Sequence, residues 1–153
     1  MALSDIKIDR EGVWYYRGAH MFRKDILCIF FENLHVDENG QYFIKIKEET
    51  CYLDVEDTAI VVVSVFRETD PESGVETLEV LLSDDCREKL DLSSLRVGAD
   101  NVMYCLIKNG KFSARFTRKS YYQLAEFISS NETEDVFFLV LNGKQYTINN
   151  NIL

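Results

Sequence analysis

Two identical basic pairs, Arg23-Lys24 and Arg118-Lys119, stand in a chain with 17 Lys and Arg against 26 Asp and Glu. Each pair opens a stretch whose apolar residues recur at helical spacing. A cation at a helix start opposes the helix dipole, which favours anions there by up to ~1 kcal/mol. A bound phosphate would reverse that balance, because helix N–H groups, a guanidinium and an ammonium together suit its oxygens. The competing reading is local: pairing with acids such as Glu56, Asp57 or Glu126, or plain solvation.

Aromatic residues lie close to these pairs. Trp14 and Tyr16 alternate on one strand and share a face, while Tyr121 and Tyr122 follow Arg118 in the first turns of its helix. Aromatic faces beside cations can stack a nucleobase. Core packing is the other use of such rings. The acidic run Asp54-Val55-Glu56-Asp57 offers carboxylates for acid–base work, for a metal or for ribose donors. Only two of its three acids face the same way, so structural caps and salt bridges compete with those roles.

Other chemistry is thinly represented. No phosphate-loop, GxGxxG or GxSxG motif occurs. There are two histidines, His20 before the first helix and His35 at its end, where a cation suits the dipole. The four cysteines, Cys28, Cys51, Cys86 and Cys105, form no CxxC pair. Neither histidine stands at ligand spacing from a cysteine, so no structural zinc site is expected and no cofactor is called for. Cys28, Cys51 and Cys105 have apolar neighbours and read as buried thiols. Cys86, in Asp84-Asp85-Cys86-Arg87, reads as exposed, with an acidic flank that opposes thiolate formation. No catalytic set stands out, which weighs against an enzyme.

The elements that would hold these residues read as α+β. Residues 5–9 and 13–17 form a hairpin about Arg10-Glu11-Gly12. Phe22 to His35 carries Ile26, Leu27, Phe30, Phe31 and Leu34 on one helical face. Asn39-Gly40 stops it, and 41–47 and 51–56 are strands. Thr58–Phe66 and Val75–Leu82 make a long hairpin about Asp70-Pro71-Glu72-Ser73-Gly74. Ser83 followed by two acids resembles an N-cap, predicting a short helix over 84–90. Residues 91–101 read as loop. Strands at 102–108 and 111–116 flank Asn109-Gly110, a helix spans 118–129, and 135–141 and 144–149 flank Asn142-Gly143.

Both halves therefore read strand–strand–helix–strand–strand. An offset of 95 residues lays 23–53 on 118–148, with Arg23-Lys24 on Arg118-Lys119 and Tyr42-Phe43-Ile44 on Phe137-Phe138-Leu139. An offset of 98 lays Gly12 on Gly110, Trp14 on Phe112 and Arg17 on Arg115. The expectation is an internal duplication with mostly antiparallel sheets. It divides the chain into an N-terminal repeat (1–57), a hairpin extension and connector (58–101) and a C-terminal repeat (102–153). Residues 58–153 are also readable as one lobe. Paired copies of one unit leave a groove between them, the natural place for a ligand.

Composition limits the partners. Hydrophobic residues make up 46% and charged residues 28% of 153, a globular balance rather than a disordered one. The net charge of −9 repels nucleic acid and anionic membranes as a whole body. The start, Met1-Ala2-Leu3-Ser4-Asp5, lacks a signal peptide's basic and apolar regions. Apolar runs such as Ala59 to Val63 are far below the ~20 residues that span a bilayer. A cytoplasmic protein is expected.

The order of motifs resembles a known family. Ile8-Asp9, Gly12-Val13-Trp14-Tyr15-Tyr16-Arg17-Gly18 and Arg23 resemble its start. Asn39-Gly40-Gln41-Tyr42-Phe43-Ile44 and Val55-Glu56-Asp57 resemble its middle. Arg115-Phe116-Thr117-Arg118-Lys119-Ser120-Tyr121-Tyr122-Gln123-Leu124 resembles a second signature. The family is the bacterial one known as domain of unknown function 1285, and the resemblance covers about residues 5–150. Ala19-His20-Met21 stands where the family tends to have a Pro, and Lys45-Ile46-Lys47-Glu48 where it tends to have Thr-Pro. The resemblance implies a duplicated α+β fold whose second half is pleckstrin-homology-like. It also implies a nucleotide-like ligand between the halves and a signalling role.

Residues and resemblance together nominate Trp14, Tyr16, Arg23, Lys24, Glu56, Asp57, Arg115, Arg118, Lys119 and Tyr121 as ligand-binding candidates. The leading expectation is a small-molecule binding module for a nucleotide-like or phosphorylated ligand. The second is a protein-interaction module, with the long hairpin as docking arm. The third is an enzyme using Asp54, Glu56, Asp57 and Asp100 around a metal.

Overall fold

A computed structural model describes residues 5–131 and 136–150. The expected strand start at Asp135 and the N-terminal stretch 1–4 lie outside them. The fold is α+β, and the chain separates into two compact units, Met1–Ile60 and Val61–Leu153.

The N-terminal unit begins with β1 (Ile6–Ile8) and β2 (Trp14–Tyr16), paired antiparallel with Ile8 opposite Trp14. Asp9 closes this hairpin: its carboxylate accepts from the N–H groups of Glu11 and Val13, each at 2.9 Å. Gly12 takes φ +83° there, a conformation that glycine adopts without a Cβ penalty. Next come β3 (Ala19–His20), α1 (Lys24–Glu32), β4 (Leu34–Val36), β5 (Tyr42–Ile46), β6 (Glu49–Tyr52) and β7 (Asp54–Val55). One sheet has the order β3-β2-β1-β7, with β7 parallel to β1. The other is the meander β4-β5-β6. Ile6, Ile8, Trp14, Leu34, Ile44 and Leu53 are buried as its core.

The first helix ends sooner than its apolar spacing predicts. Asn33 donates from its backbone to Phe30 O and from its side chain to Ile29 O at 2.8 Å, closing the last turn. Leu34 is buried either way, but β5 captures it as a strand residue opposite Ile44. His35 therefore caps no helix. It lies in β4 and stacks on Phe43 at 5.3 Å between ring centres. Cys28 is also corrected: it is exposed on α1, because its apolar sequence neighbours point to other sides of the helix. Cys51 is half-buried and Cys105 fully buried.

The C-terminal unit is built on a seven-stranded sheet. Its strands are β8 (Ile60–Thr69), β9 (Glu76–Leu82), β10 (Arg87–Lys89), β11 (Arg96–Val97), β12 (Met103–Ile107), β13 (Phe112–Phe116) and, at the far edge, β17 (Asn149–Asn150). The order is β10-β9-β8-β13-β12-β11-β17. After β13 the chain forms α2 (Arg118–Ala125) and the meander β14 (Ile128–Asn131), β15 (Val136–Leu141) and β16 (Lys144–Thr147). The helix expected over 118–129 thus stops at Ala125, and Ile128 and Ser129 pair with β15.

Residues 84–90 are not a helix. Ser83 caps none: its hydroxyl accepts from Val61 N at 3.0 Å, and the Asp84 carboxylate accepts from Cys86 N at 3.0 Å in a tight turn. Asp85 sits at φ +66°, outside helical space. Leu82 and Cys86 close the turn by a backbone bond, and 87–89 return along β9 as β10. An acid pair after Ser serves a turn as well as a cap, since both use a short side chain to bind nearby N–H groups. The stretch 91–101 is also more ordered than a loop. It holds two 3-10 turns, at Leu92–Ser94 and Ala99–Asn101, with β11 between them.

The two units repeat one order: hairpin, helix, three-stranded meander. In the second hairpin of each meander, Phe43 pairs with Tyr52 and Phe138 with Thr147, so the 95-residue offset is kept on both strands. In the first, Leu34 faces Ile44 but Ile128 faces Leu139, a slip of one residue.

Candidate functional site

Ser120 sets the geometry of the C-terminal unit's site. Thr117 caps α2, its hydroxyl accepting from Ser120 N at 3.3 Å. The Ser120 hydroxyl is fully buried and donates to Val62 O on β8 at 2.8 Å. One turn on, Gln123 Oε1 accepts from Val65 N at 2.8 Å. These two side chains pin one face of α2 to the sheet beside buried Leu124. The opposite face carries Arg118, Tyr121 and Ala125, at spacings of three and four residues.

Tyr121 and Ala125 line a groove of about 480 Å³. Its other walls include Val97 and Met103 from the sheet, Ile128 and Phe137 from the meander, and polar groups on Asn101, Ser129 and Ser130. Arg118 is exposed one turn before Tyr121, and Lys119 is exposed beside it on a different side of the helix. Arg115 is elsewhere. On β13 the buried residues are Phe112, Ala114 and Phe116, so Arg115 belongs to the other face of the sheet, opposite Tyr104. Arg96 lies over the Tyr104 ring at 4.4 Å on that strand row.

The N-terminal candidates have local roles. Arg23 is the N-cap residue of α1 and binds Asp25 through two nitrogens, at 2.7 and 3.3 Å. That hydrogen bond holds the exposed Asp25 carboxyl below its usual range. Lys24 is the first residue of α1. Trp14 is 2% exposed, with Phe30 stacked at 6.0 Å and Phe31 edge-on at 5.1 Å, so it is a core residue. Its Nε1 has no hydrogen-bond partner among the described residues. Tyr16 is exposed under the Arg17 guanidinium, which binds Asp5 at 3.0 Å.

A second cleft, of about 430 Å³, lies in this unit and is acidic. Asp54 and Asp57 line it with Tyr42, Gln41, Leu53 and Val55. Burial pushes the Tyr42 phenol above its ordinary range; Asp57 adds to the shift and a backbone bond from Ala59 opposes it. Glu56 points away to accept from Arg10 N at 3.0 Å. Among the described residues, no three His, Cys, Asp or Glu side chains gather around a metal-sized gap. No helix among them is long and apolar enough to cross a membrane.

No family model matches the chain, and no curated protein matches it. Solved structures do. A DUF1285 family protein from Silicibacter pomeroyi DSS-3 superposes with a TM-score of 0.76 at 20% identity, over 95% of this chain and 79% of that one. A DUF1285 family protein from Shewanella baltica OS155 superposes with a TM-score of 0.64 at 22% identity, over 80% of this chain and 91% of that one. The fold is that of DUF1285. The motif resemblance read from residues 5–150 thus agrees with the three-dimensional likeness.

Within the DUF1285 fold, the groove that Tyr121 lines lies in the C-terminal unit alone, whereas sequence reasoning nominated Tyr121 and Arg118 for a ligand held between the halves. That reasoning missed Ser120 and Gln123, whose polar side chains are what anchor the helix. The available signal was their spacing of three residues beside Leu124, polar groups on the side that faces the core. It also missed the groove's far wall, because Val97 and Phe137 are separated from Tyr121 by long stretches of chain.

Proposed function

We propose that this chain is a small-molecule binding module whose ligand enters the groove of the C-terminal unit. The ligand is nucleotide-like or otherwise phosphorylated: a planar body lies against Tyr121 and Phe137, and its phosphate meets Arg118, with Lys119 adding charge at the same helix start. The observation that carries this reading is the shared helix face of Arg118 and Tyr121, with Tyr121 in the groove wall. Asn101, Ser129 and Ser130 supply hydrogen-bonding groups to orient the ligand. Occupancy would act as a signal, read by a protein partner.

A thermal-shift screen against nucleotides and phosphorylated metabolites tests it. A ligand at about 100 times its dissociation constant stabilises by roughly 2.7 kcal/mol, a readable shift. A shift that disappears in Arg118→Ala and falls in Tyr121→Ala supports the reading. A flat screen, or binding indifferent to both substitutions, removes it. The alternative, a protein-interaction module, is favoured by exposed apolar residues such as Phe22, Ile29, Tyr122 and Val140.

A further inference from the structure

We propose that two copies of this chain pair through α1, antiparallel about a two-fold axis that passes beside Cys28. Six of the nine residues of α1 are apolar, yet none is buried. Phe30 and Phe31 turn inward to Trp14. On the outside, Cys28 is exposed, Ile29 is 50% exposed and Phe22, just before the helix, is 76% exposed.

The outward row is self-complementary. Lys24, Cys28 and Glu32 are spaced four residues apart and form one line along the helix. The cation stands at the N-terminal end and the acid at the C-terminal end, each opposing the helix dipole. Within one helix Lys24 and Glu32 are eight residues apart, about 12 Å along the axis, and Glu32 accepts from Cys28 Sγ at 3.5 Å. An antiparallel copy centred on Cys28 sets Lys24 opposite the second copy's Glu32 twice over and Cys28 opposite itself. It also sets the two dipoles head to tail and covers Ile29 and Phe22. Such a contact is isologous, as closed dimers require. A nine-residue helix contributes less than the ~1,200 Å² of a standard interface, so the dimer is reversible, with a dissociation constant on the order of micromolar.

Sedimentation of the full chain from micromolar to near-millimolar concentration tests this. A concentration-dependent dimer is expected. Lys24→Glu and Glu32→Lys should each weaken it about tenfold or more. An equimolar mixture of the two should associate again, and so should Lys24→Glu/Glu32→Lys, which keeps the native net charge. Mild oxidation should link the wild-type dimer covalently; Cys28→Ser should abolish the link and Cys86→Ser should leave it. A monomer at every concentration overturns the proposal. So does a dimer unmoved by the charge exchanges, or one linked through Cys86. Far-UV circular dichroism checks that each variant keeps the native fold.

Discussion

Ser120 shows what one buried hydroxyl does for this fold. It joins α2 to β8 through Val62 O and closes the cap with Thr117. Ser120→Ala removes that donor, while the Val62 carbonyl keeps the Thr117 N–H at 3.1 Å. The expected cost is that of a lost hydrogen bond rather than an orphaned carbonyl, about 1 kcal/mol, measured by urea denaturation. Cys105 makes a second case. Burial pushes its thiol up to about 12 from an ordinary 9.0, with Glu88 and Asp91 adding to the shift. A raised pKa means the folded chain holds the proton longer than the unfolded one. Stability is therefore full below pH ~9 and falls as pH climbs toward ~12, by up to about 1.4 kcal/mol per unit. Cys105→Ala should start less stable but lack that alkaline decline. An identical pH slope in both proteins would assign it to other groups.

At the scale of elements, Asn142 links two hairpins. It occupies the first position of the Asn142-Gly143 turn at φ +53°, and Gly143 follows at φ +78°. Its side chain also pairs with the backbone of Glu76 on β9, accepting at 2.8 Å and donating at 2.7 Å. Asn142→Gly keeps the turn and loses only the pairing, about 1 kcal/mol. Asn142→Ala loses the pairing and strains the turn as well, so it should be the less stable of the two by thermal unfolding. The turn was legible in the sequence, because Asn-Gly is a local signal with a local cause. The bond to Glu76 was not, since it joins residues that only the folded sheet brings together. The boundary errors have the same origin. Leu34 and Ile128 suit a helix or a strand equally, and the neighbouring strand decided.

For the whole molecule, the net charge of −9 is a uniform burden on the compact state. Raising sodium chloride from low to physiological strength should raise the melting temperature by screening that repulsion. A melting temperature indifferent or opposed to salt would mean that attractive networks dominate. One such network is Arg87 with Glu68 and Glu79, stacked over Phe66 at 4.2 Å. The candidate site divides along the same line as the elements. Arg118 and Tyr121 were visible from sequence because one helix carries both. Arg115, two residues before Thr117, looked like their companion, yet strand alternation puts it on the other face of the sheet. Trp14 was readable either as a stacking ring or as core, and it is core, packed on Phe30 and Phe31.

Local information was sufficient for the α+β class and the hairpins closed at Gly12, Gly74, Gly110 and Gly143, while the first strand of each meander was read as helix. Hydrophobic period and turn chemistry act within a few residues and need no fold to be read. Where helices end, which strands are neighbours, which face Arg115 takes and which walls enclose Tyr121 were settled by pairing across long stretches of chain. There, burial and backbone hydrogen bonding outweigh the small energies of local preference.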